Sequence, residues 1–227
     1  MERARKETGV SARGEKALVS TVLLAVTVPV FFAAGALPST HVPASWLATR
    51  WDTLIPLVPE AVWPYLSWYL APWLLLAAPQ RDFRRVVGAI ALAFATCMLV
   101  YVLIPASLER PLVAGVTRSE RVLLLLYQYD PPWNIFPSFH AALCALLWKP
   151  AFGGALARRI MPVWMSAICV ACVLTKQHHL LDVVAGALLG FVALAAATAV
   201  FNRLDRGEGE TPAESTSWGP TPVGKAS

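Results

Sequence analysis

The chain has 227 residues, 57% of them hydrophobic and only 15% charged, and a formal net charge of +5. A soluble domain carries about 25% charged residues, so this composition argues against a water-exposed fold and for membrane spans. A nucleic-acid surface is equally disfavoured, because the basic residues flank apolar runs as topology signals do. The four cysteines, Cys97, Cys144, Cys169 and Cys172, all lie inside apolar runs without the paired spacing of a zinc site, and read as small buried hydrophobes. One helical bundle accounts for the length and leaves no room for a second folded domain.

The first apolar run, 17–37, is long enough to cross a bilayer at about 1.5 Å per residue. It follows a basic segment, 1–16, without a convincing cleavage site, and is expected to be a retained first helix. The Pro- and Trp-rich stretch after it suits a short interfacial helix near Trp46 and Trp51. A second span is expected over 61–78. Its aromatics Trp63, Tyr65, Trp68, Tyr69 and Trp73 read as an interface belt, with a lipid-tail groove as the alternative. QRDFRR breaks the pattern, and a third span follows over 86–104. The segment 105–134 is of mixed polarity, and its VLLLLY run is too short to span and suits a re-entrant or interfacial helix. Further spans are expected over 136–148, 160–174 and 180–201, and the polar tail 203–227 is expected to be disordered and cytoplasmic. The expectation is therefore an all-α, polytopic six-helix bundle over 17–202.

Charge gives this bundle an orientation. With six spans, the side holding the N-terminus carries Arg3, Arg5, Lys6, Arg13, Lys16, Arg81, Arg84, Arg85, Lys149, Arg158, Arg159, Arg203, Arg206 and Lys225; the other side carries only Arg50, Arg110, Arg118, Arg121 and Lys176. The positive-inside rule then puts both termini in the cytoplasm.

The same topology gathers polar residues at the outer ends of the spans. Arg110-Pro111 follows the third, FPSFH (136–140) opens the fourth and TKQHHLLDVVAG (175–186) opens the sixth. Ionisable groups at membrane depth are functional candidates by default. His178 and Asp182 are four apart and share a helix face. A carboxylate on one imidazole nitrogen fixes the tautomer and frees the other nitrogen to attack. His140, from another helix, suits an acid and then a base. Pro137 suits a first helical turn, with the N–H groups around Ser138 free to cradle an anion. Arg110 and Lys176 would add positive charge for phosphate oxygens.

These residues resemble the signature blocks of the type 2 phosphatidic acid phosphatase (PAP2) superfamily, in the form of its inositol-phosphorylceramide-synthase-like branch. FPSFH resembles the second block, TKQHHLLDVVAG the third, and Arg110-Pro111 the end of the first. The resemblance covers about a third of the chain. It implies that His178 is a nucleophile forming a phosphohistidine, that Asp182 orients it, and that His140 is the general acid and base. It further implies that Ser138, Arg110 and Lys176 bind phosphate and that neither metal nor other cofactor is needed. The chain departs from the pattern at Leu103 in place of the first-block lysine, at Ala171 and Cys172 in place of Ser-Arg in the third, and at Phe139 in place of a glycine common in the second.

The function these features imply is a multi-pass cell-membrane phosphatase acting on a lipid-linked phosphate at the extracytoplasmic face. The alternatives are a headgroup transferase using a small alcohol or polyol acceptor and a non-catalytic membrane protein with a decayed site. The ligand types of His140, His178, His179 and Asp182 would also suit zinc, although adjacent histidines usually diverge in direction. His179 is expected to line or support the site, His41 to be a loop residue, and Asp130 and Asn134 to cap or support the loop, with substrate contact as the alternative.

Overall fold

The computed structural model describes residues 12–130, 132–148 and 154–207. Most of the expected tail 203–227, most of the segment 1–16 and residues 149–153 lie outside them. In chain order the helices are α1 (Ala12–Ala36), α2 (Arg50–Leu54), α3 (Val62–Leu66), α4 (Gln80–Leu103), α5 (Arg118–Tyr129), α6 (Phe139–Leu147), α7 (Ala155–Leu174) and α8 (Leu180–Gly207). A 3-10 helix, Ser67–Ala77, continues α3 directly. The only sheet among the described residues is a parallel pair, β1 (Val42–Pro43) with β2 (Ala106–Ser107).

Among the described residues four helices are long and apolar enough to cross a membrane: Arg13–Ala36, Gln80–Leu103, Ala155–Leu174 and Leu180–Arg206. Their outward residues are apolar too, including Leu18 and Val22 on α1, Leu99 on α4, Val163 on α7 and Val192 on α8. Water would penalise so much exposed hydrocarbon, so the chain is a helical membrane protein. α1 starts five residues earlier than expected because Lys16 extends the helix and donates to the Ala78 carbonyl. α8 runs to Gly207, past the expected end of the span. Its last turns are held to α4 by Arg81 and Arg85, which bond the Asn202 amide oxygen and pair with Asp205 at 3.5 and 3.9 Å.

The expected second and fourth spans take other forms. The second is a short α-helix followed by an eleven-residue 3-10 stretch, unusually long for that geometry. The fourth is represented by α6, whose nine residues are all buried. At about 1.5 Å per residue α6 rises roughly 14 Å, less than half a bilayer core. It forms the axis of the bundle, packed by α8, α7 and α4. Contacts at the helix ends fall into two layers. One joins Lys16, Ala78, Arg81, Arg85 and Asn202. The other joins the loops after α1, α4, α5 and α7 to the starts of α6 and α8.

α6 and α8 approach backbone to backbone. A Cβ on Gly186 would lie 2.1 Å from the Ser138 carbonyl oxygen, and one on Gly190 would lie 2.3 Å from that of Ala142. Only glycine permits this separation. It brings the first turn of α8, with Asp182, alongside that of α6, with His140.

Candidate functional site

The turn between α7 and α8 supplies His178. α7 ends in a C-cap at Thr175, after which Lys176 takes a left-handed conformation (φ +52°) and the N–H groups of Gln177 and His178 both return to the Cys172 carbonyl. This left-handed step is the usual way to close a helix, though glycine normally makes it. It turns His178 inward against α6.

The two histidines meet. His178 Nε2 lies 3.4 Å from His140 Nδ1, and the rings stand edge to face with centroids 5.5 Å apart. His178 Nδ1 faces the Ile135 carbonyl oxygen at 3.1 Å and Asp182 Oδ2 at 3.4 Å. A carbonyl can only accept, so Nδ1 carries the proton and the neutral ring's lone pair is on Nε2. Asp182 is fully buried; its Oδ2 also accepts from the His179 N–H at 2.8 Å, which fixes the carboxylate at the start of its own helix. The Asp182 carbonyl accepts from the Ser138 N–H at 3.0 Å, binding α8 to the first turn of α6.

His140 is held on its other side as well. Tyr65 Oη lies 3.1 Å from His140 Nε2 and donates to Asp130 Oδ2 at 3.3 Å. The polar line Asp130–Tyr65–His140–His178–Asp182 thus crosses the bundle with a carboxyl group at each end. Burial raises the Asp130 carboxyl above the usual carboxylate range, against the pull of Arg110, His178 and Tyr65. Tyr65 belongs to the aromatics assigned to an interface belt. That assignment fails for Tyr65, which is buried, and for Trp68, which packs edge-on to the His140 ring at 4.8 Å; Trp63, Tyr69 and Trp73 are exposed. The sequence signal that would separate them is absent, since α3 and the 3-10 helix are apolar all round.

The anion-binding expectations fare differently from one another. Arg110 donates to the carbonyls of Tyr127 (3.1 Å) and Asp130 (2.6 Å) and to the Gln177 side-chain oxygen, and its guanidinium stacks on the Tyr127 ring. Its Nε and the Gln177 Nε2 are buried donors without a protein partner. Two such donors beside His178 are suited to an anion, since leaving them unpaired is costly. Sequence reasoning passed over Gln177, whose bond to Arg110 fixes which end of its amide donates.

Ser138 is fully buried, and its Oγ accepts from the Ala141 N–H as the N-cap of α6. The expected anion cradle at this helix start is therefore used differently: the Ser138 N–H is taken by Asp182, and Pro137 lies before the cap, not in the first turn. Lys176 lines an opening beside His178, but its Nζ donates to the carbonyls of Asp52 (3.0 Å) and Ile55 (2.6 Å), closing the C-terminus of α2. Asp52 in turn accepts from the Leu180 N–H at 2.8 Å and faces His179 Nδ1 at 3.6 Å. Burial pushes its carboxyl up, but the Thr49 hydroxyl, the Leu180 and Thr49 N–H groups and His179 outweigh this and hold it below the usual value. His179 thus faces away from His178, and the four groups weighed as zinc ligands do not converge. Among the described residues no cluster of three or more His, Cys, Asp or Glu is arranged to hold a metal ion. His41 stacks on Trp133 and bonds the Gly35 carbonyl, and Asn134 (φ +57°) donates to the Phe31 carbonyl, so both secure the end of α1.

Two openings reach the histidine pair. A vestibule of about 370 Å³ is lined by Asp52, Glu109, Arg110, Lys176, His178 and His179, among others. A separate narrow cleft of about 40 Å³ reaches His140 and Asp130 between α1, α4 and the 3-10 helix. The chain matches no family model, no curated protein and no solved structure.

Proposed function

We propose that this chain is a membrane enzyme of the type 2 phosphatidic acid phosphatase kind, which cleaves a lipid-linked phosphate through a phosphohistidine. The observation that carries the reading is the His178–His140 contact, with the Nδ1–H of His178 held by the Ile135 carbonyl and the buried Asp182. This leaves a lone pair on Nε2 for attack at phosphorus. As the new N–P bond forms, the bond from phosphorus to the lipid oxygen breaks, and His140 delivers a proton to that oxygen. Asp182 stabilises the positive charge that His178 acquires. In the second half His140 takes a proton from water, whose oxygen attacks the phosphohistidine, releasing phosphate and restoring the lone pair. The free donors of Arg110 and Gln177 suit the phosphate oxygens, and no step calls for a cofactor. A phosphorus atom does not fit between nitrogens 3.4 Å apart, so substrate entry turns His140 away from His178.

The layered helix ends support six crossings, with α3 plus the 3-10 helix as the second and α6 within the fourth. The layer containing Lys16, Arg81 and Arg85 is then cytoplasmic together with both termini, and the vestibule opens on the extracytoplasmic face. The size of the vestibule favours a second outcome of the same chemistry, in which a small alcohol or polyol replaces water as the acceptor.

The test is phosphate release by purified full-length protein from a panel of lipid phosphates, with His178→Ala beside the wild type. The wild type releases phosphate and retains radiolabel on His178; the variant does neither. Full activity in His178→Ala overturns the reading, and an unlabelled, inactive wild type supports a non-catalytic membrane protein. Product analysis with and without a polyol separates hydrolysis from transfer.

A further inference from the structure

Tyr65 faces two partners with a single proton. Its Oη lies 3.1 Å from His140 Nε2 and 3.3 Å from Asp130 Oδ2. With Asp130 ionised, the phenol donates to the carboxylate and accepts from an Nε2–H. With Asp130 protonated, the carboxyl donates to Oη and the phenol donates to a bare Nε2. The other side of the ring decides between them. His178 Nε2 holds a lone pair, so His140 Nδ1, 3.4 Å away, presents a proton to it. An Nε2–H as well would make His140 an imidazolium in a site where it is 7% exposed and Tyr65 1%. Burial penalises such a charge. The neutral arrangement has one proton in each gap and no ion: carboxyl to phenol, phenol to His140, His140 to His178.

Asp130 is placed to be that carboxyl. Its backbone is held on both sides, by its N–H on the Leu126 carbonyl at 2.8 Å and by Arg110 on its own carbonyl at 2.6 Å. The groups that face its carboxyl are Tyr65 of α3, Tyr69 of the 3-10 helix, Cys172 of α7, Arg110 and His178. Burial raises the carboxyl above the usual range and outweighs Arg110, His178 and the Tyr65 bond.

We infer that Tyr65 and Asp130 form a proton relay behind His140, with Asp130 storing between turnovers the proton that replaces the one His140 gives to the leaving oxygen. This rests on the proposed function and adds the source of its proton. Both are positioning residues that act through His140. As the bond from phosphorus to the lipid oxygen breaks, the Nδ1 proton of His140 passes to that oxygen. Nε2 takes the phenol proton, and the phenol takes the carboxyl proton. His140 stays neutral and changes only its tautomer, while Asp130 is left as a carboxylate. In the second half Nδ1 takes a proton from the attacking water, and the two transfers reverse to reprotonate Asp130. The proton carried off by the lipid alcohol is thereby replaced by one from water.

The experiment compares kcat/KM of purified full-length protein for two substrates: hexadecyl phosphate, whose alkoxide needs a proton to leave, and p-nitrophenyl phosphate, whose phenolate leaves without one. Tyr65→Phe lowers the value for hexadecyl phosphate by about 30-fold or more and that for p-nitrophenyl phosphate by about 3-fold or less. Each preparation is its own control, because a misfolded fraction lowers both values together. Asp130→Asn gives the same split, and the double variant is no worse than Tyr65→Phe alone, as expected for members of one unit. Equal losses on both substrates, or no loss on either, overturn the relay. Infrared spectra add a readout that needs no turnover: near neutral pH the wild type carries a protonated-carboxyl band that Asp130→Asn lacks. An active wild type without this band sinks the relay while the phosphohistidine chemistry stands. An inactive wild type with the band sinks the phosphatase reading and leaves the neutral Asp130 in place; an inactive one without it sinks both.

Discussion

Against α8, the backbone of α6 comes so near that two glycines have carbonyl oxygens where a Cβ would be; against α1 and the 3-10 helix, the same α6 borders a narrow cleft. The first seam is a fixed spacer. It sets Asp182 and the turn carrying His178 against His140 with no side chain between to adjust. The second is bordered by aromatic side chains that can rotate. The groups whose spacing is fixed by backbone are on the first seam, and the second is bounded by side chains.

The largest effect expected is for Gly186→Ala. The new methyl would meet the Ser138 backbone, which cannot swing aside, at a cost of about 3 kcal/mol or more, seen as a large drop in thermal midpoint in detergent. Gly35→Ala is the matched control. Its methyl meets the Asn134 side chain at 2.6 Å, which can turn, so a loss of about 1 kcal/mol is expected. Equal losses would dissolve the contrast between the seams. Next in size, Asp182→Asn keeps the packing but removes the charge behind His178, and lowers kcat by about 100-fold or more with little change in folding; an unchanged kcat would show that the Ile135 carbonyl alone holds the ring.

Asp130 sharpens the comparison from the cleft side. A carboxyl whose value is raised by folding adds stability in acid and loses it as the pH climbs through the folded value. Asp130→Asn removes that loss, so its thermal midpoint gains on the wild type between pH 4 and pH 8; a gap that narrows with rising pH would contradict the assignment. The smallest effect is for Val28→Ala at the cleft mouth, within about 0.5 kcal/mol in stability, checked by the same melts.

The helical class and the meeting of His140, His178 and Asp182 were legible in the sequence because motif spacing and hydropathy are local quantities. Tyr65, Asp130 and Gln177 were not, because each is brought to the histidine pair by a neighbour 65 or more residues distant in the chain: His140 for Tyr65, Tyr65 for Asp130 and Arg110 for Gln177. Charge alone does not show that the Lys176 ammonium is taken by two carbonyls at the end of α2, because the short helix expected near Trp51 lies over 120 residues away in the chain. The same limit applies to Ser138, where a buried cap and an exposed anion ligand share one local pattern.

The stretch Ser67–Ala77 has a mechanical corollary. A 3-10 turn advances about 2.0 Å per residue against 1.5 Å for an α-helix, so these eleven residues are drawn out by about 5 Å relative to ordinary winding. Because the Trp164 indole anchors Ser67 at the start of the stretch, rewinding would draw in chiefly its Ala77 end and the start of α4, leaving Trp68 and Tyr69 near the His140 ring.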